Sequence, residues 1–184
     1  MSTGTDGDGR DSMENAGIIS LCEVTRENWR ATLRLAVHPD QQRFVAGDDA
    51  PIAAIALAKA YVRAGGVRWA PYAIVADEGE TEEMVGFVAL AYEPESADDY
   101  WVFHFFIDRR YQGRGYGAAA LERLIELVRR EHPRARMLQL VVHPENQPAQ
   151  RLYTRAGFHA TGAERWGEPV YQLALDADET GARE

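Results

Sequence analysis

Three glycines at alternate positions, in Gly113-Arg114-Gly115-Tyr116-Gly117, follow an apolar run that ends at Ile107 and precede helically spaced apolar residues that begin at Ala118. Lacking side chains, they leave backbone N–H groups unobstructed and tolerate φ values closed to other residues. At a helix N-terminus such donors, with the helix dipole behind them, form a site for a phosphate or pyrophosphate. Arg114 adds a positive charge. The segment therefore asks for a strand, a glycine-rich turn and a helix in succession, with an anion at the turn.

Gly113 to Ala118 also satisfies the permissive dinucleotide pattern G-x-G-x-x-A. That fold places the glycines directly at a strand end and an acid about 20 positions onward. Here Asp108 to Gln112 intervene, and Gln139 to Val142 contain no acid. A G-x-x-x-x-G-K-[ST] loop is absent. A redox protein using the turn for a dinucleotide is the competing class, and it predicts stabilisation by a nicotinamide cofactor.

The 184 residues suffice for one sizeable core, and a single domain over 18–176 is expected between a disordered tail at 1–17 and a flexible tail at 177–184. A formal charge of −9 argues against nucleic acid as the main partner and suits a cationic small molecule. Cys22 is the only cysteine, which excludes an internal disulfide and fits a cytoplasmic, reducing setting. No apolar run approaches the roughly 18 residues of a membrane span, and no secretory leader pattern opens the chain. The histidines show no metal-site spacing, so no metal is expected.

Along the chain, Ile18 to Val24 reads as a strand, and Thr25 as the cap of a helix through Trp29, Leu33 and Ala36. A second helix is expected from Pro51 to Ala64, with Asp49 as a cap and Gly65-Gly66 as its stop. Tyr72 to Ala76, Met84 to Tyr92 and Tyr100 to Ile107 read as antiparallel strands. Ala118, Leu121, Leu124, Ile125 and Val128 mark an amphipathic helix ending near His132-Pro133. A strand at Met137 to Val142, a helix at Pro148 to Ala156 stopped by Gly157, and a strand at Val170 to Leu175 complete the reading. The order implies an α+β fold, a mixed sheet flanked by helices.

Gln112-Gly113-Arg114-Gly115-Tyr116-Gly117 resembles the Q/R-x-x-G-x-G/A signature of the GNAT N-acetyltransferase superfamily. Downstream, Asn146, Ala149, Leu152-Tyr153 and Gly157-Phe158 resemble that superfamily's N-x-x-A-x-x-L-Y-x-x-x-G-F stretch at the matching distance. From about Ile18 to Leu175 the chain is most similar to bacterial spermine/spermidine-type N-acetyltransferases, through Val37-His38-Pro39-Asp40-Gln41, Val85-Gly86-Phe87 and Gly167-Glu168-Pro169-Val170 among others. It departs from them at His104, where Arg is frequent, and at Ala89-Leu90, where Met-Tyr is usual. Both departures fall where acceptor selection is expected.

The resemblance implies the GNAT fold, a mostly antiparallel mixed sheet of six or seven strands with about four helices, and acetyl-CoA as co-substrate. It implies that Phe106 and Ile107 run beside the pantetheine arm, that Gln112, Gly113, Arg114, Gly115, Tyr116 and Gly117 hold the pyrophosphate, and that Asn146 bonds the arm. Tyr153 is implied as the proton donor to the leaving thiolate, which is general-acid work. The acceptor is expected to be a polyamine such as spermidine or spermine. An aminoglycoside-like drug, an amino acid or a protein N-terminus are the enzyme alternatives, and an acetyl-CoA sensor without turnover is the non-enzyme one. Glu83, Glu93 and His104 are candidates for binding the acceptor or relaying its proton, beside Glu95, Asp98 and Asp99. A homodimer is common among such proteins.

Overall fold

The computed structural model describes residues 18–45, 50–79 and 81–175. The expected tails at 1–17 and 177–184, and Asp49 as a helix cap, lie outside the described residues. Seven strands form one sheet in the order β1-β2-β3-β4-β5-β7-β6. They are β1 (Ile18–Glu23), β2 (Arg68–Asp77), β3 (Glu82–Tyr92), β4 (Tyr100–Ile107), β5 (Met137–Val141), β6 (His159–Arg165) and β7 (Glu168–Ala174). The helices are α1 (Trp29–Thr32), α2 (Ile52–Val62), α3 (Tyr116–Glu131) and α4 (Gln147–Arg155), with 3-10 turns at Pro39–Phe44 and Ala64–Gly66.

The sheet is covered on both faces. Leu121, Leu124 and Val128 of α3 and Tyr153 of α4 join Val88, Leu90 and Leu138 in one core cluster. Ile52, Ala53 and Ala56 of α2 join Leu35, Phe87 and Phe106 in the other. Strand alternation decides which residue serves which cluster, and an inserted residue reverses that choice. In β3 the register slips opposite Ile74/Val75, so Val85 and Val88, of opposite parity, share the α3 cluster. In β4 it slips between the partners of Phe87 and Ala89, where His104 takes φ 50. This bulge puts Phe103 and Phe106 against the α2 cluster and turns Phe105 and Ile107 toward the α3 cluster.

All pairings are antiparallel except β4 with β5, which are parallel and share a single register pair, Trp101 with Gln139. Beyond that pair β4 runs on to Ile107 with no strand neighbour on that side. The splay opens a gap in the middle of the sheet, and an unpaired strand edge is a template for a ligand with peptide-like groups.

One sequence expectation is corrected, and two elements were not expected. The helix from Thr25 to Ala36 is only the four residues of α1. Leu35 and Val37 instead alternate into the core as extended chain, held where the Ala36 amide donates to Asp108 and its carbonyl accepts from Arg109. The 3-10 turn Pro39–Phe44 was not expected. Strand β6 was also unforeseen: it is an edge strand exposed on both faces and joined to β7 through Trp166 (φ 55) and Gly167 (φ 79). Two consecutive positive φ values are those of a type I′ hairpin turn.

Candidate active site

The loop from β4 to α3 is set by Asp108. Its carboxylate, 1% exposed, accepts from the Ala36 amide at 2.9 Å and from the Arg110 amide and guanidinium at 3.0 and 2.8 Å. Burial raises the carboxyl pKa, but these donors outweigh it and hold the group below its ordinary range. Gln112 turns inward: its amide donates to the Ile107 carbonyl at 3.0 Å and exchanges two hydrogen bonds with Gln41, at 2.9 and 3.1 Å. Three separate segments, the 3-10 turn, the end of β4 and the glycine turn, are thereby tied together.

Gly113 (φ 79) and Gly115 (φ 81) adopt left-handed conformations, and nothing lies within 4 Å of where a Cβ would stand on Gly113. Gly115 is the N-cap of α3, whose first turn carries no acidic residue. Among the described residues, no backbone acceptor pairs with the amides of Gly113, Arg114, Gly115 or Tyr116. Free N–H groups at a helix start are suited to receive an anion. Arg114 is 3.9 Å from Glu78 and stacks 5.6 Å from the Tyr111 ring centroid.

A cleft of about 510 Å³ follows the open edge of β4 from this turn to α4, lined by Phe105 to Ile107, Gln112, Gly113, Gly115 to Gly117, Asn146 and Tyr153. Asn146 caps α4, its Oδ1 accepting from the Ala149 amide at 3.3 Å. Its side-chain nitrogen makes no hydrogen bond among the described residues. Tyr153 packs on Phe105 and Phe158, with ring centroids 6.3 and 5.8 Å away. Burial pushes its hydroxyl pKa upward, so the phenol stays protonated at neutral pH and acts as a donor.

A second cleft of about 650 Å³ meets the first at Phe105, Asn146, Ala149 and Tyr153, and extends toward Lys59, His104, Trp166 and Glu168. The bulge turns the His104 ring onto this side. Its Nδ1 stands 3.1 Å from the Val45 carbonyl and its Nε2 3.2 Å from Lys59 Nζ. Both ring nitrogens are thus engaged, which leaves no imidazole lone pair for an acceptor proton. Of the other candidates, Glu83 accepts from the Tyr111 hydroxyl at 3.2 Å and Glu93 sits beyond β3, its amide bonded to the Asp99 carbonyl. Neither lines the two clefts, and neither do Glu95 or Asp98. Asp98 pairs with Arg136 at 2.7 Å, and Asp99 accepts from the Trp101 indole at 2.6 Å.

Sequence reasoning passed over Lys59 and Glu168 as site residues. Lys59 belongs to an otherwise apolar helical run with no chemical signature, and Glu168 stood only within the Gly167-to-Val170 likeness. Among the described residues, no group of three or more His, Cys, Asp or Glu is placed to hold a metal ion. No described helix is long and apolar enough to cross a membrane.

The profile of the acetyltransferase (GNAT) family matches residues 46–158, a stretch that contains the splayed strands, the glycine turn and Tyr153. The chain belongs to that family. This GNAT chain is 36% identical over 85 residues to the spermine/spermidine N(1)-acetyltransferase of Bacillus subtilis, a match covering 44% of the chain and 55% of that protein. It is 34% identical over 94 residues to the L-2,4-diaminobutyric acid acetyltransferase of Streptomyces coelicolor, covering 51% and 54%. It thus spans about half the length of the curated relatives it matches. In structure, the GNAT chain resembles a spermidine N-acetyltransferase from Vibrio cholerae in complex with CoA and spermine, with a TM-score of 0.66 and 14% identity over 86% of this chain and 96% of that one. A Salmonella typhimurium acetyltransferase that modifies the N-terminal serine of a ribosomal protein gives a TM-score of 0.67 at 17% identity, covering 86% and 96%. At these identities the likeness is one of fold.

Proposed function

We propose that this chain is an acetyl-CoA-dependent N-acetyltransferase that acetylates a primary amine of a small molecule. The observation that carries the reading is Tyr153 at the junction of two clefts, one leading to the glycine turn and the other into a separate chamber. The first cleft fits acetyl-CoA. Unbonded amides and two glycines without a Cβ suit its pyrophosphate, and the open edge of β4 suits the amides of its arm. When bound there, it supplies the thioester whose acetyl group is transferred.

The chain's own residues then do three things. The edge of β4 and Asn146 orient the arm so that the acetyl group lies near Tyr153, which makes the encounter effectively unimolecular. The acceptor amine enters from the second cleft and attacks the acetyl carbon. A C–N bond forms and the C–S bond breaks; the Tyr153 hydroxyl gives its proton to the leaving sulfur, and the proton lost by the amine passes to water. An amine with a pKa near 10.4 is about one part in a few thousand neutral at pH 7, so turnover rises with pH through the neutral range.

The same reading takes 18–176 as one catalytic domain of a cytoplasmic enzyme, with a homodimer as the assembly to test. Matching relatives are a spermine/spermidine N(1)-acetyltransferase and an L-2,4-diaminobutyric acid acetyltransferase, which supports a small amine as the acceptor. Thiol release from acetyl-CoA, followed with a colorimetric reagent across polyamines, diamines, amino acids and aminoglycosides, tests the proposal. Acceptor-dependent release is expected. If acetyl-CoA is neither consumed nor stabilises the protein to heat, the reading is wrong. Stabilisation without release for any acceptor leaves either an acceptor outside the panel or a sensor.

A further inference from the structure

Lys59 projects from α2 into the chamber beyond Tyr153, at the boundary with a recess of about 230 Å³ walled by Trp69, Trp101, Phe103 and Trp166. It is half-buried, with its ammonium 4.9 Å from the Trp69 ring centroid and 5.7 Å from that of Phe103. Among the described residues it has no carboxylate partner; its one polar neighbour is the neutral imidazole of His104. Burial lowers its pKa, as expected of a cation without a counter-charge.

The remaining charges of the chamber and the recess are differently placed. Arg43 is neutralised by Glu145 at 2.7 Å. Arg165 covers the faces of Trp101 and Trp166, 4.1 and 4.4 Å from their centroids. Glu168 is the single carboxylate among the described residues lining the chamber. The aromatic faces that would hold a second ammonium by cation–π attraction are therefore occupied by the protein's own cations. A polyamine entering the chamber meets one carboxylate and then a lysine; the Asp99 carboxylate, in the recess beyond, already accepts from the Trp101 indole at 2.6 Å.

We infer that the preferred acceptor is an amine that also carries a carboxylate, with Lys59 as the specificity-determining residue that pairs with that carboxylate and Glu168 as the partner of its ammonium. The inference rests on the acetyl-transfer reading above. A zwitterion satisfies both chamber charges at once, in a partly desolvated site where each pairing is charge-assisted. His104 Nε2 engages Lys59 at 3.2 Å, and the aromatic recess accepts the acceptor's apolar part.

Matched pairs that differ only in the carboxylate test it: lysine against cadaverine, ornithine against putrescine, phenylalanine against phenethylamine. The wild-type protein is expected to favour the carboxylated member of at least one pair by roughly tenfold or more in kcat/KM, the size of one charge-assisted hydrogen bond. Lys59→Met should bring that ratio close to unity, chiefly through KM, while Lys59→Arg retains part of it. Heat stabilisation by CoA reports that both variants fold. A wild-type preference for the decarboxylated members, or a ratio unchanged in Lys59→Met, overturns the inference. Should no pair turn over although CoA stabilises the protein, calorimetric binding of the amino acids to the CoA complex decides: binding weakened about tenfold by Lys59→Met upholds the assignment, and no binding ends it. No thiol release together with no stabilisation by CoA removes the acetyl-transfer reading, and this one with it.

Discussion

The Nε2 of His104 on β4 and the Nζ of Lys59 on α2 stand 3.2 Å apart, with the other ring nitrogen 3.1 Å from the Val45 carbonyl. Because a carbonyl only accepts, Nδ1 carries the proton and Nε2 accepts from the lysine. Burial first, and then the Lys59 charge, push the imidazole pKa from 6.5 to about 4. The folded state therefore keeps this ring neutral where an unfolded chain takes up a proton. Its contribution to stability is complete above about pH 6.5 and is lost as pH falls through about 4, a difference of roughly 3 kcal/mol. Urea unfolding between pH 7.5 and 4 should show this decline, and His104→Gln should flatten it. An equal decline in the variant would assign the effect to other groups.

Tyr153→Phe keeps the ring packing on Phe105 and Phe158 and removes only the hydroxyl. Turnover should fall by roughly 100-fold or more, the scale of lost general-acid catalysis, with KM for acetyl-CoA nearly unchanged. Steady-state kinetics with both substrates varied separates the two effects. Unchanged kcat would take Tyr153 out of the chemistry.

The glycines of the turn should respond unequally. Gly113 and Gly115 have φ values of 79 and 81, so Ala at either meets backbone strain, and at Gly113 the space around the missing Cβ is open. Each substitution should cost about 1–2 kcal/mol and weaken CoA binding as the amides move out of alignment. Gly117 lies in the first turn of α3, and its Cβ would meet Ile107 and Leu152 at an ordinary 3.7 Å, so Gly117→Ala should be close to neutral. Calorimetric titration with CoA ranks the three.

Gly86 has the opposite problem. A Cβ there would stand 2.5 Å from the Phe106 carbonyl oxygen, a backbone atom that cannot move without parting β3 from β4. Gly86→Ala should cost roughly 1–3 kcal/mol and lower Tm by several degrees. It should also raise KM for acetyl-CoA, since Phe106 lines the cleft proposed to hold it. A variant with wild-type Tm would show that the two strands separate freely.

The parts of this protein legible in its residues are those whose signals are local. The apolar spacing from Ala118 to Val128 matches α3, and the glycines at 113 and 115 adopt the positive φ that their type permits. Asn146 caps α4 as its side chain suggests. Strand β6 was missed because His159 to Arg165 has no apolar face to bury, and its Trp-Gly turn lacks the usual hairpin residues. The helix expected at Thr25 to Ala36 was too long because its second half is captured as extended chain by Asp108, 72 positions away.

Residue order and elementary chemistry determined the strand–glycine turn–helix unit, the family likeness, and the paired motifs around Gly115 and Tyr153. The tertiary structure alone decided that β4 and β5 part after one pair, that a bulge turns His104 toward α2, and that Lys59 reaches the chamber beyond Tyr153. The physical reason is range. Backbone preference and capping act over a few residues and can be read in order. Strand register, the face a side chain takes after a bulge, and the charge it meets depend on segments that only the folded chain brings together.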